Sequence, residues 1–187
     1  MRRFGLFGVI ISLLFLFPCG CKEKSQPPAG VPHSDSLDLR KYREAETLNS
    51  LLEKDPDNLK ALIRLGNVYF DTGQNEKAVE AYRKALDRDP ENADVRTDMG
   101  ICLRRLKRTD EAITAFKGAI KSNPRHYQSR YNLGLVLLHE KNDLNGAITV
   151  WEDLLKAVPE FPGKENLALQ LEKLKQVEGT HEGEGSR

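Results

Sequence analysis

Tyr82 to Pro90 reads YRKALDRDP. The same phrase recurs as LNSLLEKDP from Leu48 to Pro56, FKGAIKSNP from Phe116 to Pro124 and WEDLLKAVP from Trp151 to Pro159. The closing prolines thus stand at positions 56, 90, 124 and 159, a constant interval stretched once by a single residue. In each phrase a large apolar residue is followed three places on by another apolar one, the spacing of a helix face. Proline lacks an amide hydrogen and disfavours helix in the residue before it, so each phrase reads as a helix and its stop signal.

Upstream of three of the phrases stands a glycine, at Gly66, Gly100 and Gly134, and these keep the same interval. The first unit has Leu62, Leu65, Gly66 and Tyr69, then Ala78, Tyr82, Ala85 and Pro90. The second has Met99, Gly100, Leu103, Ala112, Phe116, Ala119 and Pro124. The third has Leu133, Gly134, Leu137, Ala147, Trp151 and Pro159, with one extra residue within HEKNDLNGA. Glycine and alanine let two helix backbones approach closely, and the aromatic fills the space beside them. This pattern resembles the tetratricopeptide repeat, a helix–turn–helix unit of about 34 residues, from Leu59 to about Pro159. One unit cannot bury its apolar face alone, and stacked units share a core.

The resemblance implies an all-α superhelix of about seven helices, three repeats plus N- and C-terminal capping helices. The units are expected at 59–92, 93–126 and 127–161, within a domain spanning 37–176. The caps are expected at 37–55 and 163–176. In the second, Leu167, Leu171 and Leu174 share one face while Glu165, Glu172, Lys173 and Lys175 back it. The last stretch, 177–187, is rich in Gly and Glu and is expected to be a disordered tail.

The first residues differ from the rest. MRR precedes a 14-residue apolar run, Phe4 to Phe17, and then PCGC from Pro18 to Cys21. The run is short for a membrane span, which needs about 20 apolar residues, and suits the apolar core of an export signal. The segment resembles a bacterial lipoprotein signal, with Gly20 before the cut and Cys21 as the lipid attachment site. Pro18 and Cys19 depart from that family's pattern. An uncleaved anchor, an ordinary cleaved signal and a twin-arginine signal at Arg2-Arg3 are the competing readings. Residues 1–20 are thus expected to be the signal and 21–36 the lipidated cysteine with a flexible linker, KEKSQPPAGVPHSDS. Cys102, the one cysteine left in the folded part, reads as a small buried hydrophobe.

Hydrophobic content of 39% and charge of 30% suit a helical domain and argue against a disordered chain. Formal net charge is +1, so no global field points to nucleic acid. His33, His126, His139 and His181 show no ligand spacing. No phosphate-cradling loop and no nucleophile elbow emerges. Neither an enzyme, a cofactor, a metal nor a small-molecule substrate is expected.

In tetratricopeptide domains the first helix of each unit lines a concave groove for protein partners. Carried onto this chain, the groove positions are Lys60, Ile63, Asn67 and Phe70, then Asp94, Thr97, Ile101 and Arg104, then Gln128, Tyr131, Leu135 and Leu138. The residues expected to meet a partner are Ile63, Asn67, Phe70, Ile101, Arg104, Tyr131 and Leu135, though Leu135 and Leu138 could instead lie beneath the C-terminal cap. The carboxylate clamp that some family members use for acidic chaperone tails is rejected. Only Asn67 matches it; Ile63 replaces a lysine, Asp98 an asparagine, and Gln128 and Asn132 two basic residues. Residues 96–130 hold nine basic residues against three acidic ones, which offers a second reading, a binder of anionic wall polymer or lipid. The resemblances together imply a lipid-anchored adaptor facing the periplasm of a bacterial envelope. The outer membrane is favoured over the inner because Lys22 follows Cys21. Assembly of pilus, secretion or outer-membrane machinery is the class of role they imply.

Overall fold

The computed structural model describes residues 33–184. The signal, Cys21 and most of the linker lie outside the described residues. Eight helices follow one another: α1 (His33–Lys54), α2 (Leu59–Asp71), α3 (Asn75–Arg88), α4 (Ala93–Arg105), α5 (Thr109–Ser122), α6 (Tyr127–Glu140), α7 (Leu144–Ala157) and α8 (Lys164–Glu184). Three pairs and two caps make eight rather than seven. Both caps are longer than the sequence boundaries. No proline separates Pro32 from Pro56 or follows Pro162, so nothing stops α1 short of His33 or α8 at 176. The helix therefore takes in residues 177–184, where a disordered tail was expected.

The turn between units is built the same way three times. Asn58, Asn92 and His126 stand at one register and cap α2, α4 and α6, each accepting from an amide three residues on. Their own amides return to the carbonyls of Asp55, Asp89 and Asn123 across the proline. The turn within each unit also repeats: Gly73, Lys107 and Asn142 all have positive φ, at 72°, 61° and 51°. After α2 and α4 the next amide reaches back to Tyr69 or Leu103, closing the helix end. Lys107 adopts without glycine's freedom what Gly73 adopts freely.

Packing explains the glycines. A Cβ on Gly100 would stand 2.6 Å from Phe116 Cε1, and Gly66 and Gly134 face Tyr82 and Trp151 likewise. The aromatic of each second helix therefore lies directly on the first helix of its own unit. Tyr82, Phe116 and Trp151 are buried, as are Ala78, Ala112 and Ala147. The two polar rings are satisfied: the Tyr82 hydroxyl donates to Asn67 Oδ1 at 2.8 Å, and Trp151 Nε1–H donates to the Tyr131 carbonyl at 3.1 Å. Cys102 is buried, and burial chiefly pushes its thiol up to about 12, so it packs as a small apolar group.

Among the described residues each helix packs on its sequence neighbours; beyond these, only α2 meets α4 and α4 meets α6. These first helices form one layer. At the open N-terminal edge, α1 is joined to α2 by Ala45, Leu48 and Leu52 inside and by Lys41–Asp71 and Glu44–Arg64 ion pairs outside. At the other end Leu167 and Leu171 of α8 enter a cluster with Ile148, Trp151 and Leu154 of α7.

Candidate protein-binding groove

The layer of α2, α4 and α6 presents the positions expected to meet a partner, and the structure gives them unequal freedom. Ile63 and Ile101 are half-buried at the edge of the main core. Tyr131 is 36% exposed and stacks on Trp151 with ring centroids 6.1 Å apart. It is an aromatic anchored behind and open in front. These three are the apolar contact points that remain available. Lys60, Asp94 and Gln128 are exposed around them.

Other positions are occupied by the protein itself. Asn67 accepts the Tyr82 hydroxyl. The Arg105 guanidinium lies over the Phe70 ring at 4.2 Å. Arg104 Nε donates to Glu140 at 2.8 Å, and Thr109 donates to the second oxygen of the same carboxylate. Leu135 and Leu138 pack against the cluster that α7 and α8 share, so the cap takes up the apolar surface they would offer. Thr97 is buried in the seam between α4 and α6.

That seam holds a polar network the sequence did not announce. The Thr97 hydroxyl donates to the Ala93 carbonyl at 2.7 Å and lies 2.7 Å from Ser129 Oγ. Ser129 Oγ is 2.6 Å from His126 Nδ1, and the Ser129 amide donates to the same nitrogen. His126 Nε2 is 2.8 Å from Asp94 Oδ1. The two hydroxyls bring two hydrogens to three short contacts, so the tautomer of His126 sets which contact carries one. Serine, histidine and aspartate in contact suggest a hydrolytic triad, but Ser129 is fully buried and no substrate atom can reach it. The set caps α6 and joins two first helices. Its signal in the sequence was a histidine where the other two units place asparagine.

Asp98 follows Thr97 on α4, at the register where α2 and α6 carry Arg64 and Asn132. It is half-buried with no hydrogen-bond or ion-pair partner among the described residues. Burial first, then the neighbouring Asp94 carboxylate, pushes its carboxyl up to about 6, with His126 opposing the effect and Asp71 adding to it.

The opposite side holds a cleft of about 700 Å³ between α1, α2 and α3, floored by Leu52, Leu62, Leu65 and Tyr69. Its rim charges answer one another, Arg88 with Asp57 and Lys84 with Glu80, while Lys77 sits over Tyr69. The basic stretch 96–130 is likewise largely spent. Arg104 and Arg108 hold carboxylates, Arg105 covers Phe70, and Arg96 and Arg130 donate to the Pro90 and Pro124 carbonyls.

Models of the tetratricopeptide repeat match residues 66–106 and 97–163. Comparison with curated proteins finds no match. Among solved structures, a crystal structure of MamA is similar over 75% of this chain and 89% of that one, with 23% identity and a TM-score of 0.60. The first repeat domain of Spaghetti (RPAP3), bound to the HSP90 peptide SRMEEVD, is similar over 65% and 93%, with 25% identity and a TM-score of 0.56. The TPR2B domain of yeast Sti1, in complex with pHsp70, is similar over 64% and 97%, with 20% identity and a TM-score of 0.58.

Proposed function

We propose that this chain, which carries tetratricopeptide repeats across residues 66–163, is an adaptor that holds a protein partner in the groove of α2, α4 and α6. Ile63, Ile101 and Tyr131 are its contact points, and a lipid at Cys21 ties it to a membrane of a bacterial envelope. The observation that carries the reading is the contrast within the groove. Asn67, Phe70, Arg104 and Leu135 are tied to the fold, whereas a stacked, part-exposed tyrosine and two half-buried isoleucines stay open in one layer. Exposed aromatic and aliphatic anchors beside polar neighbours are the usual centre of a protein interface.

The Spaghetti and Sti1 domains are seen with chaperone peptides. This groove offers such an acidic tail Ile63 and Asp98 instead of a lysine and an asparagine, so SRMEEVD is expected not to bind here. The basic stretch gains no support as a polymer or lipid site, since five of its arginines are already engaged.

The test is crosslinked capture from the native membrane fraction by wild type and by the Ile63→Asp, Tyr131→Ala double variant, both checked for folding by circular dichroism. A partner held by wild type and lost by the variant supports the groove. A partner held equally by both moves the site elsewhere on the molecule. The Cys21→Ser variant is expected to lose lipid labelling and leave the membrane; labelling that persists moves the attachment to Cys19.

A further inference from the structure

The groove carries a half-buried carboxyl, Asp98, with no hydrogen-bond or ion-pair partner among the described residues. Asp98 lies on α4 one turn before Ile101, so the two project from the same side of the helix. Its influence reaches the buried Tyr82 hydroxyl on α3 and the Cys102 thiol on α4, both of which it helps push up after burial. The groups around it are Asp71 from α2, Asp94 from α4 and the His126 imidazole at the start of α6. Four cations of α1, α2 and α4 are committed elsewhere: Lys41 to Asp71, Arg64 to Glu44, Arg104 to Glu140, and Arg105 to the Phe70 ring.

A carboxylate half removed from water and left without a partner is unfavourable. A ligand that brings an ammonium or guanidinium group relieves that cost, and one that brings a carboxylate adds to it. Charge complementarity therefore selects among the peptides that apolar contact alone would accept. Resting on the reading of this groove as a protein-binding face, we infer that its occupant is a basic, apolar peptide segment of the partner, one lysine or arginine of which pairs with Asp98 while apolar side chains lie on Ile63, Ile101 and Tyr131. The raised carboxyl agrees with this. Pairing with a cation draws it back toward the ordinary range, so binding near pH 6 expels a proton.

The test uses the full-length chain in detergent and three labelled peptides, each of four leucines alternating with three lysines, three glutamines or three glutamates. At pH 7.5 the lysine peptide is expected to bind about five- to tenfold tighter than the glutamine peptide, and the glutamate peptide weakest. Asp98→Asn is expected to bring the lysine and glutamine peptides within about twofold of each other and to leave the glutamine affinity in place. Asp98→Lys is expected to reverse the order in favour of glutamate. Thermal melts by circular dichroism verify that both variants fold. Titration calorimetry at pH 6 in two buffers of different ionisation heat is expected to show proton release for wild type with the lysine peptide and none for Asp98→Asn. A wild type that binds lysine no better than glutamine, or a lysine preference that survives Asp98→Asn, overturns the inference. If the glutamine peptide still binds and Ile63→Asp weakens it, the groove reading survives that loss. If none of the three peptides binds, both readings fall together.

Discussion

The α2–α4 and α4–α6 seams occupy the same place in successive repeats, yet one is closed and the other open. Between α4 and α6, Thr97, Ser129 and His126 are buried and every polar atom of the set finds a partner within the protein or in Asp94. Between α2 and α4, Asp98 is only half-buried and finds none among the described residues. At the repeat interval Thr97, Ser129 and His126 correspond to Ile63, Val95 and Asn92, which form no such network, so the scaffold repeats while the chemistry of the seam does not. The difference comes from which residues face the neighbour. A repeat fold thus separates two jobs: glycine, alanine, aromatic and proline hold the stack, and the remaining positions decide whether a seam is sealed or left for a ligand.

Substitutions that strip each seam should cost unequal amounts. His126→Ala removes the α6 cap and deprives the buried Ser129 hydroxyl and amide of the ring nitrogen, while Thr97 keeps the Ala93 carbonyl, and is expected to destabilise by about 2–3 kcal/mol, read from urea unfolding. His126→Asn, which restores the cap of the other units, should recover part of that loss. Equal losses for both variants would show that the network adds nothing beyond a cap.

In the open seam the sign reverses. A carboxyl whose folded pKa is raised to about 6 stabilises the fold relative to its ionised form at low pH, and that contribution is lost as pH rises through 6. Asp98→Asn is therefore expected to be more stable than wild type by about 1–2 kcal/mol at pH 8, after a discount for the part of the carboxyl that stays in water, and nearly neutral at pH 4. Stability curves at the two pH values measure it, and an Asp98→Asn that destabilises at pH 8 would mean that the carboxylate is satisfied.

Asn92→Ala removes the α4 cap, where the asparagine side chain closes a local turn and reaches no neighbouring first helix. The expected cost is about 1 kcal/mol, less than that of His126→Ala at the same register. The smallest change is a gain. Lys107→Gly relieves a left-handed backbone. It should stabilise by about 0.5–1 kcal/mol, visible as a small rise in melting temperature.

The stack was legible in the sequence because its positions are chemically narrow. Only glycine fits under Phe116, and only residues at fixed spacing can share a core, so Gly100, Ala112 and Phe116 announced both helices and their contact. The groove was legible only as a set of positions. That Asn67 would serve Tyr82, that Arg104 would turn to Glu140, and that Arg105 would cover Phe70 depended on partners a whole helix or a whole repeat away, and no local spacing encodes those pairings. Glycine-rich composition points to a tail from 177, but no proline follows Pro162 and α8 runs on to Glu184.

Because, among the described residues, each helix rests only on its sequence neighbours and on the first helix of an adjoining repeat, no strut joins the two ends of the array. A load applied between the N-terminal edge at α1 and a cargo in the groove would pass from seam to seam in series. The array is then a spring, and its compliance is uneven. The contact between α4 and α6 is tied by buried hydrogen bonds, whereas the joint of α1 and α2 is sealed by apolar packing inside and exposed charge pairs outside.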